Sequence, residues 1–324
     1  MLFGPTGVGK TEFIQTLYNY WKQQSANGAG DAIELIVADS RQVYKSIPIA
    51  SAQTDATLKK LVPHHLSETV EITDTYTVFQ FCSQALALLK QIQARGNTAI
   101  VIGGTAYYLY HLWRGVPTSP QIPRALHEAL VDEHANKGLP HLYSELCTRD
   151  PEYACSISSN DTQRILRALG VLRYGGRLLS SYKRIEEHTL RPVHVFALLR
   201  SRQELYERIN KRVEKMWEQG IVQEAYTLWS SGIRSSHNVY RTIGIQELLS
   251  NKDIVKAWSL HKAMRKEDSE QSKELIKKHT RRFAKRQISF FARFHAVQHC
   301  DLGDTQQVES LCSTLYSLAH TVRT

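Results

Sequence analysis

Gly4-Pro-Thr-Gly-Val-Gly-Lys-Thr11 constrains this chain more than any other stretch. A G-x-x-x-x-G-K-T segment makes a loop whose backbone N–H groups wrap around phosphate oxygens, and side chains at the glycines would obstruct the wrap. In that pattern Gly4, Pro5, Thr6, Gly7, Val8 and Gly9 surround the phosphates, Lys10 sets a point charge against the terminal one, and Thr11 offers a hydroxyl to Mg2+. Phe13, Ile14, Leu17, Tyr18 and Trp21 follow at helical spacing, so a helix should open directly behind the loop. Only three residues precede Gly4; the strand that ordinarily feeds such a loop is expected to be very short or cut away.

Two continuous apolar runs read as buried strands. Ile33-Glu-Leu-Ile-Val-Ala38 ends at Asp39-Ser40, and Thr98-Ala-Ile-Val-Ile102 ends at Gly103-Gly104-Thr105, with a helical pattern from Thr77 to Ala94 between them. Strands alternating with helices imply parallel crossovers, hence an α/β fold: a parallel sheet of the phosphate-loop type flanked by helices, with ligands at the strands' carboxyl ends. The pattern changes after Gly115. Residues 116–123 form a proline-punctuated linker, and helical stretches follow near 124–138, 140–149 and 160–174. Val193-His-Val-Phe-Ala-Leu-Leu199 returns to the strand style, and helices dominate from Arg202 onward. A mostly helical insertion is therefore expected at 118–190, within a core formed by 1–117 and 191–324.

Composition narrows the partners. An apolar fraction of 42% and a charged fraction of 22% are those of an ordinary globular protein. No run approaches the roughly 18 apolar residues of a membrane helix, and no basic-then-apolar leader opens the chain. The five cysteines form no C-x-x-C pair, which argues against a disulfide framework or a thiolate zinc site. The expectation is a reduced, cytoplasmic monomer without a membrane partner. The formal charge of +10 is concentrated: residues 256–294 hold twelve Lys or Arg against four Asp or Glu. Such an excess suits a polyanion, whose counterions it releases; a solvated basic helix face is the plainer alternative.

A phosphate loop does not name a reaction. Nucleoside triphosphatases also use an acid at a strand end to help hold Mg2+, and the strand ending at Ile102 runs into Gly-Gly-Thr instead. Asp39 is the one strand-end acid. A lone carboxylate at the carboxyl end of a core strand beside the loop suits a general base, although it could equally cap the next turn or bind metal. These features point away from a triphosphatase and leave a small-molecule kinase open. His64 and His65 are adjacent on a loop, a poor arrangement for one ion, and are given no ligand role.

Several separated motifs decide further. Gly4–Thr11, Ala38-Asp-Ser-Arg-Gln-Val-Tyr44, Val62-Pro-His-His-Leu66 and Gly103-Gly-Thr105 are followed by Asn160-Asp-Thr-Gln-Arg-Ile-Leu-Arg-Ala-Leu169, Arg208-Ile-Asn-Lys-Arg-Val213, Thr242-Ile-Gly244 and Arg281-Arg-Phe-Ala-Lys-Arg-Gln287. In that order the chain resembles the tRNA dimethylallyltransferase (tRNA isopentenyltransferase) family over nearly its whole length. It departs from the family pattern at Ala106-Tyr-Tyr, at Ile245 where an aromatic is usual, at Phe290 in place of Trp, and at Ser46–Ala52, which replaces a more glycine-rich version.

The resemblance implies transfer of a dimethylallyl group from dimethylallyl diphosphate, the co-substrate, to the exocyclic amine of the adenosine 3′ of the anticodon, in tRNAs reading codons that begin with U. It implies that the loop holds the diphosphate with Mg2+ at Thr11, that Asp39 is the base, and that Arg212 reaches the diphosphate. Asp39, Thr11 and Arg212 are thus the expected catalytic set. Contacts to the tRNA anticodon stem-loop carry over to Asp39, Ser40, Arg41, Gln42, Thr105 and Arg124. They carry over likewise to Gln163, Arg164, Ile165, Leu166 and Arg167, and to the turn Thr242, Ile243, Gly244, Ile245, Gln246 and Glu247. Arg208 shares a helix side with Arg212 and reads equally as a salt-bridged surface residue. On the helix near 271–294, Leu275, Ile276, His279, Phe283, Ile288 and Phe291 read as packing residues, with the basic side (Lys277, Lys278, Arg281, Arg282, Lys285, Arg286) as the better RNA candidate. Three alternatives remain: a phosphate-loop kinase of a nucleotide or small metabolite, a prenyltransferase acting on free AMP, and a tRNA-binding protein with a vestigial loop.

Overall fold

Strands buried on both faces need helices on both faces, and the computed structural model is built that way. It describes residues 1–25, 32–117, 119–182, 184–185 and 194–321. The chain runs β1 (Leu2–Phe3), α1 (Lys10–Ser25), β2 (Ile33–Ala38), α2 (Ala56–Leu61), β3 (His64–His65), α3 (Val78–Ala94), β4 (Thr98–Gly103) and α4 (Ala106–Arg114). Next come β5 (Val116–Pro117), α5 (Arg124–Lys137), α6 (Leu139–Arg149), α7 (Pro151–Cys155), α8 (Thr162–Gly175) and β6 (Arg184–Ile185). It closes with β7 (Phe196–Leu199), α9 (Arg202–Glu218), α10 (Ile221–Ser230), α11 (Ile245–Ser250), α12 (Lys252–Ser259), α13 (Lys266–Phe291), β8 (Gln298–Asp301) and α14 (Thr305–Thr321).

Six parallel strands lie in the order β3-β2-β4-β1-β7-β8. The two apolar runs are β2 and β4, paired from Ile33↔Thr98 to Ala38↔Gly103. β1 is only two residues long, yet it sits in the middle, with Leu2 opposite Ile102 and Phe196. A strand this short has no alternation to read, and its place comes from the neighbours that hydrogen-bond it. β3 and β8 also escape sequence pattern: His64–His65 joins the edge beside β2, where the sequence suggested a loop. The strand expected at 193–199 is observed from Phe196; Val193 lies outside the described residues.

The chain divides into two compact units, 1–113 with 190–324, and 114–189. In the first, α1 and α14 cover the sheet with Phe13, Leu17, Trp21, Leu311 and Cys312. A second apolar cluster gathers Val43, Tyr44 and Ile47 with Ile221, Leu248, Ile254 and Trp258 of the later helices. α3 starts where the sequence placed it: Thr77 accepts from Gln80 N–H and the Gln80 side chain caps Thr77 N–H in return, a reciprocal capping box. The second unit is helical, apart from the antiparallel β5–β6 ladder. Leu130, Leu142, Leu146, Ile165 and Leu169 form its core, and Arg173 ties α5 to α6 through Glu133 and Glu145, each at 2.6 Å. Thr118, the first residue of the expected insertion, and residues 186–190 at its end lie outside the described residues.

Candidate active site

The loop from Gly4 to Gly9 leaves β1 at the carboxyl edge of the sheet and turns into α1 at Lys10. Its turn uses left-handed backbone at Gly7 (φ 82°) and Gly9 (φ 109°), and a Cβ on Gly4 would stand 2.8 Å from the Leu198 carbonyl oxygen. Glycine is therefore required by sterics before any ligand arrives. Lys10 folds back into the loop, its ammonium donating to the carbonyls of Gly4 (2.9 Å) and Pro5 (3.0 Å). Loss of hydration there lowers its pKa to about 8, a shift that Asp39 and Glu12 oppose and Arg212 reinforces.

Arginines brace the loop from outside. Arg212 Nη1 donates to Thr6 Oγ1 at 3.3 Å, and burial lowers its pKa while Asp39 raises it. Arg208, ambiguous in the sequence, donates from Nε to the Gly7 carbonyl at 3.0 Å and pairs with Glu12 at 2.6 Å. Both stand beside the buried α9 stripe of Leu205, Ile209, Val213 and Met216. Two more bracing residues were missed. Arg200 donates to the Val8 carbonyl at 2.7 Å, and nothing in the sequence marked it. Gln287 of α13 accepts the Thr6 N–H at 2.8 Å; it is a polar residue at a buried position of a helical stripe, a signal that was there to read.

Asp39 closes β2 beside the loop. Its Oδ1 accepts the N–H of Arg41 (2.8 Å) and of Gln42 (3.3 Å), so it does cap the following turn. Its other oxygen has no hydrogen-bond partner among the described residues. Thr105 ties the β2 and β4 ends together: its N–H donates to the Ala38 carbonyl at 3.1 Å, and its hydroxyl oxygen accepts Ser40 N–H at 2.9 Å. Gln42 donates to the carbonyls of Ser51 and Ala52. Arg41 is committed inward, its guanidinium donating to the Asn238 carbonyl at 2.7 Å, and burial lowers its pKa. Lys10, Thr11, Asp39, Gln42, Thr54 and His64 line one cleft. His64, assigned no part from the sequence, is therefore a cleft residue; its Nδ1 lies 2.6 Å from the Val62 carbonyl and burial lowers its pKa. Donating from Nδ1 would leave Nε2 as an acceptor. His65 instead pairs with Glu34.

Thr11 and Asp39 offer hard oxygen donors, the kind Mg2+ takes. No group of three His, Cys, Asp or Glu that could hold a metal exists among the described residues. An ion here would thus rest chiefly on ligand phosphates and water, which is how Mg2+ is usually held beside phosphates.

The remaining expected RNA positions divide by exposure. In the turn before α11, Gly244 has φ 102° and its N–H donates to Glu247 at 2.6 Å; Glu247 is also 2.6 Å from His279 Nδ1. Thr242 and Ile245 are buried, Ile243 is half-buried and Gln246 is exposed. Only Ile243 and Gln246 present side chains outward; the others hold the turn. In the second unit, Asp161 is the N-cap of α8 and pairs with the exposed Arg164 at 3.3 Å. Gln163 is exposed, and Arg124 is exposed and paired with Glu128 at 2.7 Å. Ile165 and Leu166 are core residues, so their side chains form no surface, because i and i+1 of this helix both fall within its wide apolar face. Arg167 donates to the Pro120 carbonyl at 2.7 Å and to Ser119.

α13 is two-sided. Ile276 and Phe291 are buried as expected, whereas Leu275 and Ile288 are 37% and 46% exposed, since helical spacing alone does not say how wide the packed face is. Lys277 pairs with Glu214 and Glu274, and Arg281 donates to Asn210 at 2.6 Å. Lys278, Arg282, Lys285 and Arg286 are exposed on one arc opposite the buried face. No described helix is long and apolar enough to cross a membrane.

Comparison with known proteins agrees with this geometry. The sequence model of a family described as IPP transferase matches residues 42–294. A tRNA dimethylallyltransferase of Chlorobium phaeobacteroides is 31% identical over 98% of this chain and 95% of its own. Among solved structures, the full-length tRNA isopentenylpyrophosphate transferase of Bacillus halodurans superposes with TM-score 0.65 at 25% identity, covering 99% of this chain and 97% of its own. A eukaryotic dimethylallyltransferase acting on tRNA gives TM-score 0.71 at 25% identity over 97% of this chain and 76% of its own.

Proposed function

The chain belongs to the IPP transferase family, and we propose that it transfers a dimethylallyl group from dimethylallyl diphosphate to N6 of the adenosine 3′ of the anticodon, in tRNAs reading codons that begin with U. One observation carries the reading: Lys10 and Asp39, an anion site and a carboxylate with an uncommitted oxygen, line the same cleft. A transferase that must stabilise a departing pyrophosphate and take a proton from an amine needs both within one substrate's length.

The reaction forms the N6–C1 bond and breaks the allylic C1–O bond, releasing pyrophosphate. Negative charge grows on the departing oxygens, and donors fixed beforehand at that place stabilise it without reorganising. Lys10, the loop amides and Arg212 are such donors. The Lys10 ammonium, held by two carbonyls in the free enzyme, turns to the diphosphate when that binds. Mg2+ at Thr11 would supply further neutralisation of the pyrophosphate. The adenine amine is a weak nucleophile because its lone pair is delocalised into the ring, and Asp39 takes the proton as the N–C bond forms. Two backbone N–H groups on Oδ1 fix the carboxylate plane, so the other oxygen is aimed before the acceptor arrives.

The adenosine must leave its stack to reach the cleft, at a cost of roughly a few kcal/mol, least in a single-stranded loop. Gln42, Thr105 and Ser40 stand at the strand ends where it would enter; Gln163, Arg164, Ile243, Gln246 and the exposed α13 arginines and lysines are the surface side chains for the stem-loop. The kinase alternative has no comparable support, since the relatives named above are transferases acting on tRNA. The test is transfer of radiolabelled dimethylallyl to an anticodon stem-loop RNA, with AMP alongside. Label in the RNA and not in AMP is expected. An unlabelled RNA together with ATP consumption would contradict the reading.

A further inference from the structure

Gln287 uses both ends of its amide. Its Oε1 accepts the Thr6 N–H at 2.8 Å, and its Nε2 donates to the Gly104 carbonyl at 2.6 Å. The side chain is 5% exposed. Its two partners belong to the two halves of the cleft: Thr6 to the loop for the diphosphate, Gly104 to the turn that delivers Thr105. Taking the function proposed above as its basis, we propose that Gln287 is a positioning residue for the donor, fixing the phosphate loop against the end of β4.

Direct attachment of the loop to β4 is weak without it, since the Gly4 N–H reaches the Gly103 carbonyl at 3.4 Å. Thr6 is held on two sides, its N–H by Gln287 and its hydroxyl by Arg212. That pair of contacts sets the plane of the peptide before Thr6, and with it the direction of the neighbouring amides. The Thr6 N–H is itself committed to Gln287, so the diphosphate is left to the remaining amides and Lys10. Gly104 has no side chain for a reason visible here: a Cβ would lie 2.7 Å from Gln287 Nε2 and 3.5 Å from Lys10 Nζ. Carboxamide, glycine and ammonium thus occupy adjacent places.

The chemistry of the side chain fits the place. A buried group standing between an N–H and a C=O must donate at one end and accept at the other, which a neutral carboxamide does. A carboxylate would face the Gly104 carbonyl with like charge, and an aliphatic side chain would strand both partners. α13 is also a rigid mount. One turn beyond Gln287, Phe291 stacks on Phe3 of β1 with ring centroids 4.3 Å apart. The helix therefore grips the loop at its root and at Thr6.

Four proteins test this: wild type, Gln287→Met, Gln287→Glu, and Thr280→Ala as a control. Thr280 is on the same buried face, and its hydroxyl bonds only within the helix, to the Ile276 carbonyl. The readouts are calorimetric affinity for inorganic pyrophosphate with Mg2+, and separate KM values for dimethylallyl diphosphate and stem-loop RNA. With Gln287→Met, pyrophosphate affinity should fall and donor KM rise by about tenfold, the scale of one stranded hydrogen bond, while RNA KM stays within about twofold. Thr280→Ala should leave both KM values near wild type. Gln287→Glu should match Met at neutral pH and recover relative to wild type as pH approaches roughly 5, where a protonated carboxyl can again donate and accept. Wild-type donor KM and pyrophosphate affinity in Gln287→Met would overturn the proposal. So would parallel loss in Gln287→Met and Thr280→Ala, or a Glu variant with no added pH dependence. Absence of transfer by the wild type would sink the function reading separately, since pyrophosphate affinity still reports on Gln287.

Discussion

Lys10 and Asp39 work in opposite senses of charge, and each makes its own prediction. Asp39→Asn keeps the hydrogen bonds to Arg41 and Gln42 through its carbonyl oxygen but cannot take a proton. Single-turnover transfer should fall by roughly 10²- to 10⁴-fold with donor KM little changed; an unchanged rate would remove Asp39 from the base role. Lys10 gives a pH signature. Its pKa in the free enzyme is about 8 against 10.5 for an ordinary lysine. Between those values the unfolded chain holds the proton and the folded chain does not, so this group's contribution to stability rises with pH across that window. Donor capture runs the other way, because the diphosphate needs the ammonium charged. Hence kcat/KM for the donor should decline as pH rises past about 8, and a profile flat to pH 10 would contradict the assignment. A third prediction concerns backbone strain. Ser46 (φ 62°) and Ala52 (φ 46°) are left-handed without being glycine, in the segment where the family is richer in glycine. Ala52→Gly and Ser46→Gly should each stabilise the fold by about 0.5–1 kcal/mol in denaturant titration, because relief of the left-handed strain exceeds glycine's extra chain entropy.

α13 shows what a helix can reveal in sequence and what it hides. Its apolar spacing and its basic excess were both legible, but not which side faced in. Lys277 and Arg281 turn out to be tied to Glu214, Glu274 and Asn210, leaving Lys278, Arg282, Lys285 and Arg286 as the outward charges. Replacing those four with Gln should weaken stem-loop binding and make its logarithmic salt slope shallower by about 0.7 for each phosphate no longer neutralised, with donor KM unaffected. An unaltered salt slope would show that RNA docks elsewhere. The cap of α3 and the strands β2 and β4 were legible because each rests on local chemistry: a Thr–Gln box and unbroken apolar runs. β1, β3 and β8 were not, since strands of two to four residues owe their existence to neighbours far away in sequence. Gln287 and Arg200 belong to the same class. Their partners Thr6 and Val8 are 281 and 192 positions away, and no local pattern encodes that distance.

At the scale of the whole molecule, the sheet order explains why residues so far apart meet. β1 sits between β4 and β7, and β2 lies on the far side of β4. With every strand parallel, the loop after β1, Asp39 after β2 and Gly103–Thr105 after β4 emerge on one edge, where open α/β sheets bind their ligands. The sequence carried these three motifs plainly, and alternation of strands with helices was enough to place them together. It could not carry the arginine and glutamine brackets, which α9 and α13 bring in only once packed. The central claim, that one cleft activates both donor and acceptor, is tested most directly by the chemical identity of the product. Stem-loop RNA incubated with enzyme, Mg2+ and dimethylallyl diphosphate should yield, on digestion to nucleosides, N6-dimethylallyladenosine in step with released pyrophosphate. Pyrophosphate release with only unmodified adenosine recovered, or a dimethylallyl group on another atom or nucleoside, would contradict the account.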